Sequence, residues 1–221
     1  MSGDDAKAEE LLRPDQLDYD ALWAETTGLD FIEALGYFEQ HLPYICRDAY
    51  QTRTRRPAVF LRVRHDTFEY VFDHYTSLEA TGVVSYSKSE ESRLVVAFGR
   101  SAPKKVSRDD YRLRGWVGPT ERAFGREWDK GHYIAHSLGG AVEGVEANVF
   151  VQRRDLNRGW SSEGKLFRQM ETYCFKNAGT LCFARPIYAD GTSRAAWLEF
   201  GLIRHDRELS VECFDNRSTD R

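Results

Sequence analysis

The chain has 221 residues, 41% of them hydrophobic and 30% charged, with a formal net charge of −4. That size suits one packed domain, or one domain with a small companion, and no apolar run approaches the length of a membrane-spanning helix. Four cysteines are too few for a disulfide scaffold and match no zinc spacing. Cys174 and Cys182 bracket the turn-like FKNAGTL and could meet across it, but reduced, mostly buried thiols are the expectation for all four. The start, MSGDDAKAEELL, lacks the charged-then-apolar pattern of a secretory signal. Cytoplasmic location is therefore the default expectation, with export independent of a cleavable signal left open.

In chain order, residues 1–14 are polar. From Asp15 to Leu42, apolar residues Leu17, Leu22, Trp23, Phe31, Ile32, Leu35 and Phe38 recur at near-helical spacing. Gly28 is expected to divide two helices, Pro43 to end the second, and TRTRRPAV to form a basic connector. The stretch from Val59 to Arg100 alternates apolar and polar residues, predicting antiparallel strands with turns at Asp73-His74, Thr81-Gly82 and Ser89-Glu90. Residues 101–127 read as a long ordered loop. Val149 to Gln152 reads as a short strand, with Asp155 as the cap of a following helix that carries Asn157 in its first turn. After Glu171, the segments LCFARPIYAD, AAWLEFGLIRH and LSVECFDN predict a closing antiparallel meander. The fold class expected is α+β: an antiparallel β-sheet core with N-terminal helices, divided as an acidic helical segment over 1–54 and a second unit over 55–221.

Charge is unevenly distributed. Acidic residues such as Asp15, Asp18, Asp20, Glu25, Asp30, Glu33 and Glu39 dominate the first fifty positions, against Lys7, Arg13 and Arg47. Between Arg100 and Arg168 basic residues prevail, so a polyanion would be drawn to the middle of the chain. The acidic helices could cover that region in cis; the plainer reading makes them a stabilising packing element.

The chemistry-bearing residues lie between Trp128 and Glu171. His132 has a side chain that takes a proton from water near neutral pH, and Gly131 and Gly139-Gly140 beside it permit tight backbone geometry. Asn148, Gln152 and Asn157 follow at close intervals. One amide oxygen plus several waters suits Mg²⁺, which gives up its hydration shell reluctantly. Each asparagine taken alone more often caps a turn.

Asp129-Lys130-Gly131-His132, followed by Asn148, Gln152 and Asn157 in LNRG, resembles the DNA/RNA non-specific endonucleases, which are ββα-metal or His-Me finger nucleases. FEYVFD, GHYIAHSLGG and VECFDN resemble the branch found as bacterial toxin domains, over about residues 55–217. The resemblance implies a ββα-metal finger on the sheet, with His132 as general base and Asn157 as the protein ligand of Mg²⁺, for which Mn²⁺ could substitute. It further implies hydrolysis of DNA and/or RNA with little sequence specificity, leaving 5′-phosphate ends. Asn148 and Gln152 would line the site and hold waters or phosphate oxygens. Lys130 stands where the family motif has arginine; it keeps the charge and loses the two-pronged grip on phosphate. Arg158, beside Asn157, and one of Arg100, Arg112 and Arg114 upstream are the candidate phosphate contacts. The family's helix carboxylate, two turns after the metal asparagine, would fall on Lys165 here. Met170-Glu171, after the insertion WSSEGK, makes Glu171 the preferred equivalent and Glu163 the alternative. On an unbroken helix from Asn157, Glu171 would lie within about 40° of the same face. His136 could face the phosphate or pack under the turn. The partners implied are nucleic acid and an inhibitor or immunity protein. Two other readings stand beside this one: a sequence-selective His-Me endonuclease, and an inactive or inhibited member that binds nucleic acid or a protein.

Overall fold

The computed structural model describes residues 17–55, 59–74, 77–78, 84–85, 93–103, 125–141, 148–190 and 192–218. Helix α1 (Tyr19–Ala24) begins at Asp18, whose side chain accepts from the Ala21 N–H at 2.8 Å. After a turn containing Gly28, helix α2 (Phe31–Thr54) opens with a capping box, in which Asp30 and Glu33 each accept the other's backbone N–H.

Pro43 does not end this helix. The missing proline N–H costs α2 one backbone bond, and the helix continues because Leu35, Phe38, Leu42, Cys46 and Tyr50 form one continuous buried face. At about 2 kcal/mol per buried side chain, that face outweighs a penalty of about 3 kcal/mol. The first residues of the expected basic connector are accordingly the last turn of α2.

Six antiparallel strands form the main sheet in the order β1 (Val59–His65), β2 (Phe68–His74), β5 (Arg93–Arg100), β8 (Leu181–Ile187), β9 (Trp197–Ile203), β10 (Leu209–Asp215). Strands β3 (Ser77–Leu78) and β4 (Val84–Ser85) make a separate short pair. Asp73-His74 is not a turn: both residues are within β2, because the buried Asp73 carboxylate accepts the Tyr50 hydroxyl at 2.7 Å. The β1–β2 connection falls instead at Asp66-Thr67, with Asp66 in the left-handed region. The other two expected turns, and most of the expected loop over 101–127, lie outside the described residues.

Neighbouring strand residues point to opposite faces, and the two faces bury different cores. Val71, Val95, Phe98, Leu181 and Phe183 pack with α1 and α2. Tyr70, Leu94, Ala97, Cys182, Leu198, Phe200 and Phe214 pack with residues 133–174 on the other side. Beneath α1, Arg185 and Tyr19 both donate to the buried Glu199 carboxylate, at 2.6 and 2.5 Å. The acidic helices are therefore a structural layer, on the sheet face opposite Trp128–His132 and Val149–Arg153. Among the described residues no helix is long and apolar enough to cross a membrane. The four cysteines are free thiols, with Cys46, Cys174 and Cys182 buried.

Candidate active site

On the face opposite α2, strand β6 (Trp128–His132) pairs antiparallel with β7 (Val149–Arg153). The chain then passes directly into the short helix α3 (Arg154–Arg158), which packs against both strands. Asn216 fixes this unit to the sheet: its Oδ1 accepts the Arg153 N–H at 2.7 Å, and its Nδ2 donates to the Val151 and Ala195 carbonyls. His132 closes β6 opposite Val149, half-buried, with Nε2 turned inward from solvent. Lys130 lies two residues earlier on the same strand, where partial burial lowers its pKa from the usual lysine value.

Asp129 organises this unit, a role the sequence reading missed. Its carboxylate accepts Arg154 Nε at 3.0 Å, Arg158 Nε at 2.6 Å and Asn157 Nδ2 at 3.3 Å. Residues 154, 157 and 158 share one helical face, so this spacing beside a preceding acidic residue was the available signal. Because Nδ2 of Asn157 faces Asp129, its Oδ1 points away, and no described residue donates to it. The orientation of the amide is thus set by a carboxylate.

Burial acts to raise the Asp129 pKa, but hydrogen bonds from Arg158, Asn157 and Arg154 outweigh it and hold the carboxyl below its ordinary 3.8. A depressed folded-state pKa stabilises the protein above the unfolded-state value, and the contribution is lost as pH falls through the folded value. The melting-temperature gap between the native chain and Asp129→Asn should therefore be constant from pH 8 to 5 and close in acid below 3.8. A gap unchanged at pH 3, with both proteins still folded, would remove the ion pairs as its source.

Asn148, expected to line the site, is placed inside the backbone that follows His132. It is fully buried; its Oδ1 accepts the Ile134 N–H at 2.9 Å, and its Nδ2 donates to the Ile134 and Ala141 carbonyls at 2.8 and 2.9 Å. The amide closes the excursion that follows His132, and both amide protons are engaged within it. His136 begins the 3-10 turn of that excursion, half-buried, with its carbonyl accepting the Gly139 N–H.

Gln152 is 1% exposed, and neither its Oε1 nor its Nε2 has a hydrogen-bond partner among the described residues. It crosses Gly131, where a Cβ would meet Gln152 Oε1 at 2.1 Å and Cβ at 2.6 Å. Gly131→Ala should cost about 1–3 kcal/mol through overpacking, seen as a melting-temperature loss of several degrees that Gln152→Ala partly restores. Equal melting of Gly131→Ala and the native chain would contradict this close approach.

The helix does not run unbroken from Asn157. It ends at Arg158 with Gly159 at φ +71°, and α4 (Ser162–Lys176) restarts from the Ser161 cap. Asp155 is inside α3 rather than its cap; it accepts Arg153 Nε at 2.6 Å and the Leu156 N–H at 2.9 Å. The two candidate carboxylates separate accordingly. Glu163 accepts Arg153 Nη2 at 2.6 Å. Glu171 lies 3.8 Å from Arg168, whose guanidinium also donates to the Asn157 carbonyl at 3.1 Å, so one side chain links Glu171 to the backbone of Asn157.

Arg158 is engaged by Asp129 yet remains exposed. Arg100 is on the α2 side of the sheet, held by Glu39 through two bonds of 3.1 and 3.0 Å, and is not brought to His132. The alternation of β5 explains this, since Arg100 shares its face with Phe98. Arg112 and Arg114 lie outside the described residues. No cluster of three or more His, Cys, Asp or Glu side chains suited to a metal ion occurs among the described residues; a site built on one amide oxygen would not form such a cluster. No family model matches the chain, and no curated protein matches it in sequence.

Proposed function

We propose that the chain is a metal-dependent nuclease of the His-Me finger type, acting on DNA and/or RNA with little sequence preference. The observation that carries this reading is the clamp of Asp129 on Asn157 Nδ2, which leaves Oδ1 turned away from that carboxylate, on the unit that also carries His132. Asn157 Oδ1 would hold Mg²⁺, with Mn²⁺ as a substitute, and the bound ion would stabilise negative charge on the phosphate and on the leaving 3′ oxygen. The donor set fits a hard cation that keeps most of its waters.

His132 acts as general base. It accepts a proton from water as the water oxygen bonds to phosphorus and the bond from phosphorus to the 3′ oxygen breaks, leaving a 5′-phosphate. Lys130 neutralises a phosphate oxygen, and the buried amide of Gln152 offers a donor and an acceptor to a water. Asn148 holds the backbone that follows His132, and Glu171 acts on Asn157 through Arg168.

Purified protein incubated with supercoiled plasmid and with RNA should degrade at least one of them in Mg²⁺ and neither in EDTA. Discrete plasmid fragments would favour a sequence-selective enzyme. Absence of cleavage by folded protein in both Mg²⁺ and Mn²⁺ would favour an inactive or inhibited binder of nucleic acid or of a protein partner.

A further inference from the structure

Among the described residues, Trp160 stands apart from the other tryptophans. It is 62% exposed, whereas Trp128 is 1% and Trp197 5% exposed. Its place is nonetheless fixed. The backbone N–H of Trp160 donates to the Asp155 carbonyl at 2.8 Å, Gly159 before it ends α3, and Ser161 after it caps α4 through the Gly164 N–H at 3.0 Å. The Arg158 guanidinium lies 5.1 Å from its ring centroid and is itself held by Asp129 at 2.6 Å. The ring is therefore anchored to the carboxylate that orients Asn157, three residues back. Exposed Lys165 and Arg168 follow on the first turns of α4.

An anchored, open aromatic ring among cations has a specific chemistry. An unpaired nucleobase stacks on such a ring whatever its identity, while lysine and arginine track the adjoining phosphates. Bases within a duplex have their faces covered by their neighbours and cannot stack on it without being extruded.

We propose that Trp160 is a stacking platform for an unpaired base of single-stranded DNA, giving this chain a preference for single strands over duplex. The proposal rests on the nuclease reading and adds the form of its substrate.

The test uses the full chain in EDTA, with fluorescence anisotropy of a labelled twelve-nucleotide oligothymidylate and of a duplex of equal length. Cleavage of both DNAs in Mg²⁺ is measured in parallel, and melting curves establish folding. Trp160→Ala should weaken single-strand binding by about tenfold relative to duplex, and Trp160→Phe should restore most of the loss. If the native chain cleaves DNA but Trp160→Ala leaves the single-strand to duplex ratio unchanged, the platform is wrong and the nuclease reading stands. If Trp160→Phe fails to restore binding while folding normally, ring stacking is likewise excluded. If the folded native chain neither binds nor cleaves either DNA, this inference fails, and the nuclease reading fails with it only if RNA is also left intact in Mg²⁺ and Mn²⁺.

Discussion

Replacing His132 with alanine is expected to lower the rate of phosphodiester cleavage by about 10²- to 10⁴-fold, the usual contribution of a positioned general base. The melting temperature should change little, because His132 closes β6 half-exposed and is not part of the buried core. The loss should appear at saturating Mg²⁺ without altering the Mg²⁺ concentration needed for half-maximal rate. Asn157→Ala should behave differently: it removes the candidate ligand oxygen, so more Mg²⁺ is required and the maximal rate falls as well. That substitution also takes one donor from Asp129, but Arg154 and Arg158 still neutralise the carboxylate. Rates of cleavage over a Mg²⁺ series separate the two roles. Exogenous imidazole should recover part of the His132→Ala activity and none of the Asn157→Ala activity. A His132→Ala protein that cleaves at the native rate removes His132 from the chemistry.

Asn148→Ala is expected to be the most damaging substitution for the fold of this region. It withdraws the partner of the Ile134 N–H and one partner each of the Ile134 and Ala141 carbonyls, beside a side chain that is 0% exposed. Leaving a buried polar group unmade costs about 1–3 kcal/mol each. Three such losses are a large share of a domain stability of about 5–15 kcal/mol. At about 2–4 °C per kcal/mol for a chain of this size, thermal unfolding should fall by about 10 °C. Asn148→Asp should not rescue it, since a carboxylate retains the acceptor and sets two oxygens against the two carbonyls. Nuclease activity should fall with the folded fraction. A protein that melts like the native chain yet has lost activity would instead return Asn148 to the chemical step.

The helix spacing of α2, the alternation of the strands and the meander of β8 to β10 were all readable, because each is a local periodicity of apolar residues. The Pro43 boundary misled, since a local breaker was outweighed by a buried face that only the sheet supplies. Asp73-His74 misled for the same reason: the turn-forming tendency of Asp73 gave way to Tyr50, which donates to it from a distant helix. The break after Asn157 was legible as an inserted, glycine-containing stretch, although its effect on Glu163 and Glu171 was not.

The candidate site divides along the same line. The order of residues by itself determined that a histidine, an asparagine, a glutamine and a second asparagine fall within thirty positions, because those are properties of the chain. Tertiary structure decided which of them remain available for chemistry. Asn148 is bound into the backbone of its own excursion, Arg100 is turned through the sheet onto Glu39, and Asp129 holds three side chains of α3 at once. Those outcomes depend on partners up to tens of residues away, and hydrogen-bond partners are set by where the folded layers bring them together, not by spacing along the chain.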